Sequence, residues 1–129
     1  MVGRYLLDTN VVIAALASDA RVLDRIDDAD DFFVSAVVLG ELLYGAFNSS
    51  KVDANLDRLQ AFVGKVGALH CDEVTAELYG QIKASLRRQG TPLPENDIWI
   101  AASAIQHSLT LVTRDEHFDR VPNLQRARW

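Results

Sequence analysis

Four acidic residues carry the strongest chemical signal in this chain. Asp8 closes the apolar run Tyr5-Leu6-Leu7, and Glu41 sits within Val37-Val38-Leu39-Gly40-Glu41-Leu42-Leu43. Asp97 precedes Ile98-Trp99-Ile100-Ala101-Ala102, and Asp115 follows Leu109-Thr110-Leu111-Val112-Thr113. A carboxylate among apolar neighbours is costly to desolvate unless something compensates its charge. Four in such settings point to a shared cation. Ligands that are all oxygen favour a hard ion, Mg²⁺ with Mn²⁺ as a substitute. Carboxylates around such an ion suit phosphodiester hydrolysis, because the metal acidifies water and screens phosphate charge. Thr9 and Thr113 are placed to orient ligands or waters, and Arg114 to touch a substrate phosphate.

Each acid also has a plain structural reading. Asp8 and Asp115 can cap the helices that follow them. Asp97 suits a helix N-terminus, where negative charge is favourable. Glu41 can lie on a solvent face. Other chemistries have less support. His70, His107 and His117 are scattered and form no zinc set. Cys71 adjoins His70, but neighbours in a strand point to opposite faces. There is no Gly-rich phosphate loop of common spacing.

The elements that must position the acids follow from periodicity and capping. Arg4 to Asp8 reads as a short buried strand, after which Thr9 or Asn10 caps a helix from Val11. Asp19 starts a second helical piece. The acidic run Asp24-Arg25-Ile26-Asp27-Asp28-Ala29-Asp30-Asp31 reads as a solvated loop. Asp31 to Ser35 is the next strand, followed by helices over Ala36–Phe47 and Val52–Val63. Gly67 to Cys71 is a strand, Asp72 caps a helix over Glu73–Gln89, and Gly90 suits its end. Pro92 and Pro94 mark a loop, and Asn96 caps a helix over Asp97–His107. Leu109 to Thr113 is a strand, and Asp115 starts a final short turn.

Short apolar strands alternating with helices predict an α/β fold, a three-layer α/β/α sandwich on a mainly parallel sheet. Ligands bind at the carboxyl ends of such strands. Asp8 and Asp115 then share one rim. Glu41 lies ~7 Å down its helix at ~1.5 Å per residue, within reach of a side chain that leans back. Gly40 and Gly45 leave room around it. Asp97 is the demanding case. If the helix Glu73–Gln89 runs down the sheet, the segment Gly90–Asn96 must climb back, spanning up to ~24 Å when extended. Ala101 and Ala104, on the helix face of Asp97, favour tight packing on the sheet.

The chain has 129 residues, enough for one domain over 1–129 with one core. Its apolar runs are too short to span a bilayer, and no signal-peptide pattern opens it. A lone cysteine, Cys71, permits no intrachain disulfide and fits a reducing cytoplasm. The formal net charge of −5 argues against a broad basic groove for nucleic acid. Basic residues persist at Lys83, Arg87, Arg88, Arg114, Arg120, Arg126 and Arg128.

Taken together, Leu6-Leu7-Asp8-Thr9-Asn10, Gly40-Glu41-Leu42-Leu43-Tyr44-Gly45, Asn96-Asp97-Ile98-Trp99-Ile100-Ala101-Ala102 and Thr113-Arg114-Asp115-Glu116-His117-Phe118 resemble the acidic segments of PIN-domain nucleases. Among these the chain is most similar to VapC toxins of type II toxin–antitoxin pairs. The resemblance covers essentially the whole sequence in order. It implies a PIN-like sandwich, Mg²⁺- or Mn²⁺-dependent endoribonuclease activity, a homodimer and a VapB-type antitoxin that blocks the site. Asp8, Glu41, Asp97 and Asp115 match the four acidic positions, the fourth being the more variable. Exposed apolar residues on the helix Val52–Val63 are candidates for the dimer surface. Three other readings stay open: a PIN nuclease outside toxin–antitoxin systems, a PIN-like module that binds RNA or protein without catalysis, and a phospho-acceptor receiver domain. The last normally pairs acids at the first strand and has a lysine after the last one, where this chain has Leu7-Asp8 and Arg114.

Overall fold

The sheet is built from strands too short to pack alone and apolar on both faces. It has five: β1 (Arg4–Leu7), β2 (Asp31–Ser35), β3 (Ala68–Leu69), β4 (Thr110–Val112) and β5 (Arg126–Ala127). Their order is β3-β2-β1-β4-β5, and every pairing is parallel. The structure, a computed structural model, describes residues 3–129. In the register Leu6 lies beside Phe33 and Leu111, and Leu7 beside Val112. Leu6, Leu7, Val34, Leu111 and Val112 are fully buried, as a sheet covered on both faces requires.

Six helices supply the cover: α1 (Thr9–Leu16), α2 (Ala20–Asp28), α3 (Ala36–Phe47), α4 (Val52–Val66), α5 (Glu73–Gln89) and α6 (Glu95–Gln106). A 3-10 turn spans Glu116–Arg120. From β1 the chain steps outward to β2 and then β3, so right-handed crossovers lay α1 to α4 on one face. From β3 it returns across the sheet to β4, which puts α5 and α6 on the other. The α/β/α sandwich follows. The strand order therefore reverses between β1 and β4, the position where open α/β sheets bind ligands.

Several boundaries differ from the sequence expectation for identifiable reasons. The cap of α1 is Asp8, not Thr9 or Asn10; β1 ends one residue early, and the Asp8 carboxylate accepts from Thr9 N. The acidic run is helical through Asp28. Asp19 caps α2, and Val22 with Ile26 turns an apolar stripe inward, leaving Asp24, Asp27 and Asp28 in solvent. Helix α4 continues to Val66 because Val66 extends the stripe of Leu59 and Val63. Asn96 caps nothing: α6 begins at Glu95 after Pro94, whose fixed φ suits a helix start and whose side chain makes no capping bond. Strand β3 is only two residues long. Strand β5 has no apolar alternation and was not expected; the parallel ladder to β4 and the burial of Trp129 hold it.

The largest correction concerns α5. Helices α5 and α6 form an antiparallel hairpin. Thr75, near the start of α5, hydrogen-bonds Gln106 at the end of α6. Lys83 pairs with Glu95 at the start of α6, and Tyr79 stacks on Trp99 with ring centroids 4.1 Å apart. Since α6 descends from the rim to the base of β4, α5 ascends. The climb assigned to Gly90–Asn96 is made by the helix itself, and the segment Thr91–Pro94 merely reverses the chain. Ala101 and Ala104 are fully buried, as tight packing of α6 requires. On α4, Leu59 and Val66 are buried and Val52, Leu56, Phe62 and Val63 half-buried; Ile13, Tyr44 and Phe47 on α1 and α3 are exposed.

Gly90 ends α5 in the left-handed region at φ +72°, with open space where a Cβ would stand. Only backbone strain opposes a side chain there. Gly90→Ala is expected to lower stability by ~1 kcal/mol, read as a lower urea midpoint with an unchanged slope.

Candidate active site

The strand-order reversal leaves a crevice above β1 and β4, and the first carboxylate is built into its floor. Asp8 is 6% exposed. Its N–H donates to Val112 O at 2.9 Å, extending the β1–β4 ladder by one bond. Its carboxylate accepts from Thr9 N at 2.8 Å and from Thr113 Oγ1 at 2.7 Å. Burial raises its pKa, the two hydrogen bonds pull it back, and the charges of Glu41 and Asp115 push it up again.

The two threonines connect the remaining acids. Thr9 Oγ1 donates to Glu41 Oε1 at 2.7 Å, which draws the Glu41 side chain from α3 back toward the rim. Ser35, fully buried, sets the start of that helix by accepting from Val38 N. Gly40 and Gly45 have nothing within 4 Å of an added Cβ and line cavities on either side of Glu41. Thr113 Oγ1 accepts from Asp115 N at 3.0 Å, fixing the turn after β4. Asp115 caps the 3-10 turn through His117 N, and His117 Nδ1 lies 3.0 Å from its carboxylate.

Asp97 completes the group from the first turn of α6. Burial, and then the charges of Asp8, Asp115 and Glu41, push its pKa from 3.8 up to about 6, with His117 opposing. No hydrogen bond stabilises its anion. The four acids thus meet on one rim and repel each other, with Asp97 the least compensated. Among the described residues no three His, Cys, Asp or Glu side chains enclose an ion unaided. Mg²⁺ needs only one or two carboxylates because it keeps several waters. The donor set, carboxylates with threonine hydroxyls and no nearby sulfur, fits a hard cation.

The supporting residues fare differently. Asn10 Oδ1 accepts from Arg114 N at 3.3 Å, a backbone tie between α1 and the turn after β4. The Arg114 guanidinium is engaged with Asp19 at 3.0 Å and with Trp129 O at 3.3 Å. Its observed role is to anchor the start of α2 and the C-terminus. Asn96 is exposed and lines a cavity of about 590 Å³ with Val37, Gly40, Glu41 and Tyr44. His117 was passed over as one of three scattered histidines. The signal for it was its position two residues after Asp115, inside a single turn.

Folding favours the protonated Asp97 between pH 3.8 and about 6. The metal-free chain therefore loses stability as pH rises through that window, and the loss is complete above it. Asp97→Asn is expected to raise the melting temperature at pH 7.5 and to leave it nearly unchanged at pH 4. Added Mg²⁺ or Mn²⁺ is expected to stabilise the parent chain more than the variant. Equal metal-free melting temperatures for the two chains at pH 7.5 would contradict the strained carboxyl.

Comparison with known proteins agrees with this geometry. The PIN domain model matches residues 5–124. The tRNA(fMet)-specific endonuclease VapC of Shigella flexneri is 35% identical over 129 residues, 98% of each chain. Ribonuclease VapC2 of Haemophilus influenzae shows the same identity and coverage. Among solved structures, DNA-bound VapBC from Salmonella typhimurium superposes with a TM-score of 0.93 at 31% identity, covering 100% of this chain and 99% of that one. VapBC2 from Rickettsia felis, bound to a promoter DNA fragment, gives 0.91 at 28% identity, with 98% of each chain covered. With its acids gathered at the β1–β4 switch point and these similarities running almost end to end, the chain belongs to the PIN-domain family, on its VapC branch.

Proposed function

We propose that this chain is a Mg²⁺- or Mn²⁺-dependent endoribonuclease, the toxin of a type II toxin–antitoxin pair acting in the cytoplasm. The observation that carries the reading is Asp97, a carboxyl pushed up to about 6 and facing three more carboxylates at the switch point of the sheet. Four neighbouring carboxylates cost the fold stability at neutral pH, and Asp97 has no hydrogen bond to offset its share. A divalent cation removes that cost and, when bound, supplies a Lewis acid that screens phosphate charge and acidifies water.

The chain's own residues provide position. Asp8, held by Thr9 N and Thr113 Oγ1, offers a carboxylate whose orientation is set before anything binds. Glu41 is aimed by Thr9, and Asp115 by the turn that holds His117. Asp97 carries no fixing hydrogen bond, so it is the ligand that can adjust. At pH 6 it divides between acid and anion, so a metal held there would displace its proton. Asp8, Asp97, Glu41 and Asp115 are proposed as the metal-holding and catalytic set. Endonuclease and ribonuclease are the activities named for the VapC relatives.

Robust RNA cleavage by the purified chain with Mg²⁺ or Mn²⁺ is the expected result, abolished by a chelator. Asp8→Asn and Asp97→Asn are each expected to lower kcat at least ~100-fold, the scale of losing one electrostatic element of a site. Chelator-resistant cleavage, or full activity in both variants, would falsify the metal site. Cleavage that is metal-dependent in a chain whose gene has no antitoxin neighbour would retain the nuclease and remove the toxin.

The partner reading rests on a second surface. A cavity of about 400 Å³ runs between α1, α3 and α4, walled by Ile13, Leu16, Leu42, Ala46 and Leu59, with Glu41 at its edge. Ile13 is 55% exposed. An apolar segment of a VapB-type antitoxin seated there would lie against the site and block it, in line with the VapBC complexes among the similar structures. A homodimer belongs to the same reading. Ile13→Asp is expected to weaken capture by the product of the adjacent upstream gene at least ~10-fold, measured by calorimetry, while RNA cleavage persists.

A further inference from the structure

We propose that Arg126 and Arg128 form a phosphate-binding edge of the site, holding the RNA backbone beside the scissile bond; this rests on the nuclease reading above. Strand β5 places them. Ala127 pairs with Val112, and Thr113 N donates to Ala127 O at 3.0 Å, so the residues flanking Ala127 stand at the same rim as the acids. In an extended segment Arg126 and Arg128 project to the same side. With Thr113, Arg114, Asp115 and Glu116 they line a polar cavity of about 310 Å³. Thr113 and Asp115 are thus shared between that cavity and the candidate active site.

Charge complementarity selects the occupant. The chain is −5 overall and places four carboxylates at this rim, so a polyanion needs local cations to approach. Several other basic residues are engaged within the fold, while Arg87 and Arg88 stand apart at the end of α5. Arg114 is paired with Asp19, Lys83 with Glu95, Arg58 with the carbonyl of Leu16, and Arg120 with that of Pro92. Arg126 is exposed and forms no ion pair among the described residues. Arg128 spends one N–H, Nη1 to Arg114 O at 2.9 Å, which holds its guanidinium across the turn leading to Asp115. Such planar forks match phosphate oxygens in two-pronged hydrogen bonds. The flank formed by Val37, Gly40, Glu41, Tyr44 and Asn96 has no cation. The β5 side is where two guanidinium groups adjoin Thr113 and Asp115, and the backbone enters there.

The test uses the full chain. Single-stranded RNA binding is followed by fluorescence anisotropy over a salt series in an Asp8→Asn background, and cleavage kinetics are followed with Mg²⁺ in the parent. Arg126→Gln and Arg128→Gln are each expected to raise KM about fivefold with kcat unchanged, and to flatten the salt slope of log affinity by ~0.7. Arg126→Lys is expected to keep the slope and to raise KM by less than Arg126→Gln does. Arg25→Gln, on the exposed face of α2, is the charge control and is expected to change neither. If Arg128→Gln loosens the turn, seen in its melting curve, Arg126→Gln decides alone, because it leaves that hydrogen bond intact. Unchanged KM and salt slope in a chain that still cleaves overturn this proposal and leave the nuclease intact. A parent chain without metal-dependent cleavage overturns the nuclease reading, and the anisotropy still decides the phosphate edge. Loss of antitoxin capture with RNA affinity unchanged also overturns it, in favour of an acidic peptide.

Discussion

The bond from Thr113 Oγ1 to the buried Asp8 carboxylate is the constraint on which the rest of the site depends. It joins the ends of β1 and β4, neighbours in the sheet, at the place where the strand order reverses. An ionised carboxylate that is 6% exposed requires compensation. Two hydrogen bonds supply part of it, and the same two donor residues pass orientation on to the other acids. Thr9 reaches Glu41 and Thr113 holds the backbone of Asp115. A small polar cluster thereby sets three elements that the hydrophobic core alone would leave free to slide.

Compensation is incomplete, and the shortfall collects at Asp97. Its raised pKa records an anion that the fold does not satisfy. Asp72, an exposed carboxylate that caps α5, gains hydrogen bonds from Thr75 and Gln106 that lower its pKa. The two aspartates, both at helix starts, differ in burial and in hydrogen bonding, and their pKa values move in opposite directions. Stability lost at the rim is recovered in the layers beneath, where Leu6, Leu7, Leu111, Ile100 and Phe118 are fully buried.

The charge distribution follows the same division. Acids outside the site are spread over exposed surface, among them Asp24, Asp27 and Asp28 on the solvent face of α2, where water carries their cost. The short β5 brings arginine to the rim without burying it. An acidic chain can in this way present a locally basic flank to a polyanion, which overall composition conceals.

Most of the element order was legible in the sequence, because helix periodicity, capping and strand length are short-range. The bounds of β2, α3 and α5, with the Asp72 and Gly90 ends of the last, follow from residues within one or two turns. The identities of the four acids were legible too, since each interrupts an apolar run. Non-local pairing was not. Thr113 and Asp8 are 105 positions apart, β5 exists only because β4 offers it a ladder, and α5 ascends only because it packs against α6. Helix direction on a sheet leaves no mark in a helix's own periodicity, so the path that brings Asp97 to the rim could not be read from Gly90–Asn96. Sequence by itself determined which groups carry charge and which segments are regular, through interactions spanning a few residues. Tertiary structure alone decided which charges face each other, because electrostatic coupling depends on distance in space and not on distance along the chain.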